Sequence, residues 1–268
     1  MQTFRMNSFP LFSVVIPCYN QGQYLRETVQ SVVASTYPDI EILIVDDGSK
    51  DNSHEVARAL IKENKKREIQ YIHQNNSGPS KARNHGISVA KGKYILPLDA
   101  DDLIAPNYIS EAVLTLESRP GVKLVYCEAE KFEGKSGHWN LKPFSLDLLA
   151  RDNMIFVSGI FRKSDWEKCG GFDENMIWGR EDWEFWISLL KNGGEVVKLP
   201  FVGFYYRVKA NSRRKGMTSD RKEKIIAYIN HKHKDFIYAR LNGPLRFQRT
   251  HSKKYNALLK FFGLLKRS

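Results

Sequence analysis

The segment Leu98-Asp99-Ala100-Asp101-Asp102 sets three carboxylates within four residues, directly behind the apolar run "KYILPL". Like charges this close raise one another's pKa, so the cluster is costly until something positive sits on it. A divalent cation with oxygen ligands meets that need, and a metal-bound diphosphate meets it more fully. An EF-hand would alternate its oxygen ligands and place a glycine sixth. Counted from Asp99, the fifth and sixth positions are Leu103 and Ile104, so that reading fails. There is no Walker A loop and no GxGxxG after the first apolar run, which weakens the kinase, NTPase and dehydrogenase readings. What remains is an Asp-x-Asp element, which taken alone also fits a solvated acidic turn capping the next helix.

A second constellation lies in "GREDWEFWISLL", which offers Glu181 and Asp182. Asp182, Trp186 and Leu189 stand at i, i+4 and i+7, so Asp182 heads the inward stripe of a helix. Burial beside tryptophan raises the pKa of such a carboxyl and a helix N-terminus lowers it, a balance the sequence leaves open. The plain alternative is a helix-terminal carboxylate with no catalytic role. Trp178 stands in a Gly-flanked loop, whereas Trp186 suits core packing.

These residues need elements to position them. "FSVVIP" (12–17) and "EILIVDD" (41–47) are short β-branched runs of the kind buried on both faces of a sheet. "IQYIHQ" (69–74) and "KYILPLD" (93–99) read as a third and fourth strand. Helical patterns fall between and after them: "YLRETVQSVVAS", "DNSHEVARALIKEN" capped by Asp51 or Ser53, "SGPSKARNHGISVAKG" Ser-capped and closed by Gly92, and "APNYISEAVLTLESRPG". Repeated β-α units predict parallel strands with right-handed crossovers, and ligands at the carboxyl ends of the strands. Those ends carry Pro17 to Asn20, Asp46 to Ser49, Gln74 to Asn76, and Asp99 to Asp102. Further on, "VKLVYCEAEKF" and "VVKLPFVGFYYRV" read as strands, and the last ~50 residues as basic helices with an apolar stripe.

The 268 residues, 42% of them hydrophobic, suffice for one large domain or a domain with an appendage. Three widely spaced cysteines suggest neither a metal pair nor a disulfide framework, so a reducing, cytoplasmic setting is expected. No run approaches the ~20 apolar residues of a membrane span. The formal charge of +12 is concentrated after Arg207. Such a tail fits a solvated surface, an anionic membrane or a phosphorylated substrate. A nucleic-acid partner is not expected, because no recognition motif is present and the acidic edge would go unexplained.

"SVVIPCYNQGQYL", "IEILIVDDGSKDNS", "NSGPSKARNHGI", "GKYILPLDADD", "GREDWEFW" and "YYRVKANS" occur in that order. In these motifs the chain resembles glycosyltransferase family 2 over about residues 12–212. The resemblance implies an α/β GT-A fold: a Rossmann-like nucleotide-binding half with a mixed central sheet. It implies a catalytic domain at 1–215, with a nucleotide-sugar half at 12–121 and an acceptor half at 122–215, then a helical basic extension at 216–268. It further implies an inverting, metal-dependent transfer from a nucleotide-diphosphate sugar, with UDP as the expected nucleotide, to a saccharide or lipid-linked acceptor in cell-surface polysaccharide synthesis.

By the same resemblance, Pro17, Tyr19, Asp47, Asp99 and Ala100 line the nucleotide. Lys81 and Arg83 match the region that supplies a cation near it, although a basic surface helix accounts for them almost as well. Asp101, with Asp99, would ligate Mn²⁺ or Mg²⁺. Asp182 would be the general base, Glu181 its support, and Trp178 an acceptor contact. Where some relatives carry a metal-binding histidine this chain has Arg207 and Lys209, and a cation on the diphosphate is the expected substitute. "NSRRKGMTSD" reads as a lid, and His231 and His233 as surface residues. The C-terminal "KKYNALLKFFGLLKRS" suits peripheral contact with the cytoplasmic face of a membrane, and equally suits packing on the domain. A soluble chain-extending synthase and a non-catalytic nucleotide-sugar-binding module are the alternatives.

Overall fold

The computed structural model describes residues 9–209 and 217–264. Most of the expected lid segment therefore lies outside the described residues. The first half alternates β1 (Phe12–Cys18), α1 (Gly22–Val33), β2 (Ile40–Asp46), α2 (Ser53–Glu63), β3 (Glu68–His73), α3 (Pro79–Val89) and β4 (Tyr94–Pro97). It continues with the short β5 (Leu103–Ile104) and α4 (Tyr108–Ser118). Then come β6 (Val122–Glu133), β7 (Gly137–His138), α5 (Leu146–Leu149), β8 (Ile160–Arg162), α6 (Lys163–Cys169), α7 (Glu181–Leu190) and β9 (Glu195–Val208). Three further helices close the described chain: α8 (Ser219–Lys232), α9 (Lys234–Leu241) and α10 (Ser252–Phe261).

One mixed sheet runs β3-β2-β1-β4-β8-β6-β9-β5, with β7 on the edge of β6. Strands β1 to β4 pair in parallel, as the β-α repeat predicts. β8 joins antiparallel to both β4 and β6, which makes the sheet mixed. The unbroken apolar runs of β1 and β2 are buried on both faces, with Val14, Val15, Ile42 and Leu43 fully enclosed. α3 lies directly on them because Gly86 faces the sheet: a Cβ there would come within 2.4 Å of a Val15 methyl. That close approach brings the polar face of α3 toward the carboxyl ends of the strands.

Local caps differ from the sequence reading. α3 starts at Gly78, not at a capping serine, and it ends at Ala90, before Gly92. Gly78 has φ of 90°, a conformation open to glycine, and its N–H goes to Asp47. At α2 the N-cap is Asn52, with no side-chain cap bond, while Asp51 just ahead of it accepts from the N–H and hydroxyl of Ser53, at 3.1 and 2.5 Å. α7 is buried almost all round from Trp183 to Leu190, so its inward surface is wider than a stripe. Trp186 is fully enclosed, as core packing predicts.

His233 departs most from expectation. It is buried, and its Nε2 lies 2.7 Å from Glu184 Oε1, which is also fully enclosed. It ends the turn between α8 and α9, where the chain bends inward and the period of a single continuous helix no longer applies. Lys232 adds bonds to Glu184 at 2.8 Å and Asp173 at 2.5 Å. The C-terminal helices are thus fastened to α7.

Candidate active site

The acidic cluster stands where β4 ends, beside β1, and β5 follows it at once. One oxygen from each of Asp99, Asp101 and Asp102 lies within 4.8 Å of the others. Burial first, and the neighbouring carboxylates second, push Asp101 above the ordinary range and Asp102 well above it. Two cations from the end of β9 hold the cluster. The Lys209 ammonium pairs with Asp101, and the Arg207 backbone N–H donates to Asp102 at 2.9 Å. Arg207 also donates through Nε to the Asp101 carbonyl at 2.8 Å, with its guanidinium against Tyr24 and Phe132. Hard, partly buried oxygens clustered this tightly, with charge still to be offset, fit a Mn²⁺ or Mg²⁺ ion. Arg207 is 2% exposed and fully engaged, whereas the Lys209 side chain is 21% exposed.

Arg83, also buried, connects this cluster to the second constellation. It donates to Asp99 at 2.7 Å and to Glu181 at 3.0 Å. Burial alone would lower its pKa, and the two carboxylates more than reverse that. Arg83 is therefore a buried bridge and not a surface residue, whereas Lys81 is exposed and points to solvent. Glu181 and Asp182 open α7, entered through Gly179 at φ 102° and Arg180 at φ 66°. A positive φ at arginine is strained, the kind of conformation that accumulates at functional sites.

Solvent still reaches Asp182, yet the surrounding protein decides its proton affinity. Burial, then Glu181, pushes its carboxyl up to about 6, against the opposing pull of Arg180, the Trp183 N–H and Arg83. The balance left open by the sequence thus falls to burial. Asn153 donates to Asp182 Oδ2 at 2.7 Å and fixes its orientation. A half-buried carboxylate poised near neutrality and held by an amide suits proton abstraction.

The remaining expected residues fall as follows. Asp47 is buried; its Oδ1 accepts from Gln74 Nε2 and the Ser77 N–H, each at 2.8 Å, and its Oδ2 from the Gly78 N–H at 2.8 Å. Pro17 lies inside β1, and Tyr19 just beyond it is 46% exposed and open to a planar ligand. Ala100 is buried, leaving its backbone to act. Trp178 is partly buried, edge-on to Tyr228 at 6.0 Å, and so belongs in part to the packing between its loop and α8. Asp102 joins the acidic cluster although the Asp-x-Asp pattern alone passes over it. Asn153 carries no motif; only the fold places it.

The sequence model described as glycosyl transferase family 2 matches residues 13–181. The chain belongs to this family. A second model, described as the N-terminal domain of galactosyltransferase, matches residues 154–211. Among family relatives, glycosyltransferase GlyG of Streptococcus pneumoniae is 47% identical over 37% of this chain and 33% of its own length. The uncharacterized glycosyltransferase YibD of Escherichia coli is 34% identical over 62% of this chain and 45% of its own. The chain thus spans less than half the length of either relative. In three dimensions it resembles Staphylococcus aureus TarS in complex with UDP-GlcNAc, with a TM-score of 0.71 at 20% identity, over 96% of this chain and 82% of that one. It also resembles the mannosyltransferase PcManGT of Pyrobaculum calidifontis in complex with GDP-Man and Mn²⁺, with a TM-score of 0.66 at 18% identity, over 95% and 76% of the two chains. These likenesses establish the GT-A fold that the motifs imply.

Proposed function

We propose that the protein is an inverting glycosyltransferase that moves one sugar from a UDP-sugar to a saccharide or lipid-linked saccharide acceptor. The observation that carries this reading is the pairing, through Arg83, of an acidic cluster at a strand end with a raised-pKa carboxylate at a helix start.

The donor lies along the carboxyl edge of β1, β2 and β4. Tyr19 and the backbone after Pro17 flank the nucleoside. A carboxylate has about four acceptor sites. Three donors already use those of Asp47, and the fourth is open to a uracil N–H. Asp101, with Asp99 and Asp102, would hold Mn²⁺ or Mg²⁺. When bound, such an ion neutralises charge on the departing nucleoside diphosphate. Lys209, released from Asp101, would face the same phosphates.

At the opposite side of the sugar, Asp182 takes the proton of the acceptor hydroxyl as that oxygen attacks the anomeric carbon. Asn153 keeps the accepting oxygen aimed, and Glu181, tied to Arg83, fixes the start of α7. Trp178 offers a ring face toward the acceptor. Measuring hydrolysis of a panel of UDP- and GDP-sugars tests the donor assignment. Turnover of one or more UDP-sugars supports it, and turnover of GDP-sugars alone refutes it.

A lipid-linked acceptor would be met at the cytoplasmic face of a membrane, in cell-surface polysaccharide synthesis. This is supported by α10, which docks through Asn256 and Ser252 while Leu258, Phe261 and Phe262 stay 53%, 83% and 61% exposed among lysines. Among the described residues no helix is long and apolar enough to cross a membrane. Sedimentation with anionic vesicles that Leu258→Ser and Phe262→Ser leave unchanged would remove the membrane contact.

A further inference from the structure

The base is flanked by more positive charge than its own chemistry uses. Arg180, the strained residue just ahead of Glu181, donates through Nη1 to Asp152 Oδ1 at 2.7 Å. Arg249, from the short turn before α10, donates to the same oxygen at 2.5 Å. Both guanidiniums lie against the Trp183 ring, at 5.9 and 5.5 Å from its centroid. Two permanent cations therefore share one carboxylate oxygen, and Arg180 also acts on the nearby Asp182. Arg249 shows the excess: its pKa is lowered, first by burial and also by Arg180, even though Asp152 opposes the shift.

The position matters as much as the charge. Asp152 is followed in the chain by Asn153, which holds Asp182, and Arg180 stands two residues ahead of Asp182 and acts on it, so the shared carboxylate lies close to the base. The imbalance then extends toward α10. Asp147 faces Lys253 at 2.8 Å and Arg240 at 3.5 Å, again two cations to one acid. A structural clamp needs only one guanidinium per carboxylate. A second cation on the same oxygen, 18% exposed in the case of Arg249 and 29% in that of Arg180, leaves donor N–H groups for another anion.

We infer that Arg180 and Arg249 form a subsite for a phosphoryl group carried by the acceptor, next to the hydroxyl that Asp182 deprotonates. This rests on the transferase reading and names the acceptor's chemical class: a saccharide bearing a phosphate or diphosphate. Two planar forks beside a single carboxylate suit bidentate capture of such a group. The incoming phosphoryl takes over guanidinium N–H groups that Asp152 cannot satisfy. Its lipid or soluble origin is a matter of what else it carries.

The test is a titration of glucose 1-phosphate, with methyl glucoside as the neutral control, into the full chain saturated with UDP and Mg²⁺. Saturation fills the donor's own diphosphate contacts, and ligand-observed NMR reads the binding. The inference expects the phosphate ester to bind several-fold more tightly than the neutral glycoside. Arg180→Gln and Arg249→Gln should each weaken it about tenfold, the usual scale of one charge-assisted hydrogen bond. Asp152→Asn frees both guanidiniums and should tighten it, which a purely structural clamp would not do. Equal binding of the two sugars overturns the inference, as do Arg variants that lose thermal stability with phosphate affinity unchanged. UDP binding is read in the same samples. Its failure would count against the donor assignment, while the titration repeated without UDP still reports on the arginines. A polyprenyl-phosphate-linked glucose in micelles, bound more tightly than glucose 1-phosphate, would mark a lipid-borne group; equal affinity would mark a soluble one.

Discussion

Arg83 donates to Glu181 at 3.0 Å while its other nitrogen holds Asp99 at 2.7 Å. One buried side chain from α3 thus ties the first carboxylate of the proposed ion site to the start of the helix that carries the proposed base. Asp99 and Glu181 come from distant parts of the chain, and this link fixes their spacing.

Replacing Arg83 by methionine should therefore harm both halves. Breaking a buried ion pair from one side costs about 3–5 kcal/mol. Asp99 is 37% exposed, so about 2–4 kcal/mol is expected here, after solvent screening. Thermal unfolding should register that loss, and transfer kinetics should show a lower kcat as well as weaker donor binding. Unchanged kcat with an unchanged melting temperature would remove the bridge from the account.

The pH profile reports the base. With Asp182 pushed up to about 6, kcat/KM should fall as pH drops below about 6, because the carboxyl takes up the proton it must be free to accept. Asp182→Asn should cost about 10²- to 10⁴-fold in transfer and erase that acid limb from the residual rate.

The same shift has a consequence for stability. A carboxyl whose folded pKa lies above its unfolded value favours folding at low pH, and that advantage is lost as pH rises through about 6. Asp182→Asn should then be more stable than wild type at pH 8, by about 1–3 kcal/mol, with the difference gone below about pH 4. Denaturant titrations at the two pH values check the sign.

Glu184 behaves in the opposite sense. Burial raises its pKa, but His233, Lys232 and Ser188 together hold it below the ordinary carboxylate value. Its contribution is present above the unfolded pKa and lost as pH falls through the lower, folded one. His233→Ala removes one of the groups that depress it. Acid unfolding should then begin at a higher pH, with a loss of about 1–3 kcal/mol at neutrality.

The sequence made the first β-α half legible because its pattern is local. A β-branched run, a polar turn and a helix recur within short distances, and each turn carries its own functional group. The placement of Asp99 and Asp101 behind a strand and of Asp182 at a helix start could be read from spacing and motif together. The bridge by Arg83 could not, because its partners are joined only by the sheet order that places β4 beside β1 and β8. Asn153 lies in a turn without periodicity, and Arg249 in a basic stretch where charge alone carries no address. His233 was misread for a related reason. Helix periodicity assumes one continuous helix, and the chain turns at that residue.

Lys209 offers a separate check on the acidic cluster. Its ammonium now pairs with Asp101, so an incoming cation must displace it. Lys209→Ala should bind Mn²⁺ several-fold more tightly in the absence of nucleotide, measured by water-proton relaxation. Weaker Mn²⁺ binding in the variant would mean that the lysine supports the ion site and does not compete for it.

The most direct test of the central claim compares wild type, Asp101→Ala and Asp182→Asn for UDP binding and UDP-sugar turnover, with Mn²⁺ or with EDTA. The account predicts that wild type binds UDP and turns over donor only with metal, that Asp101→Ala loses the metal-dependent binding, and that Asp182→Asn binds UDP normally and transfers poorly. Wild type that binds no UDP with any metal, or an Asp182→Asn variant with full transfer activity, would contradict it.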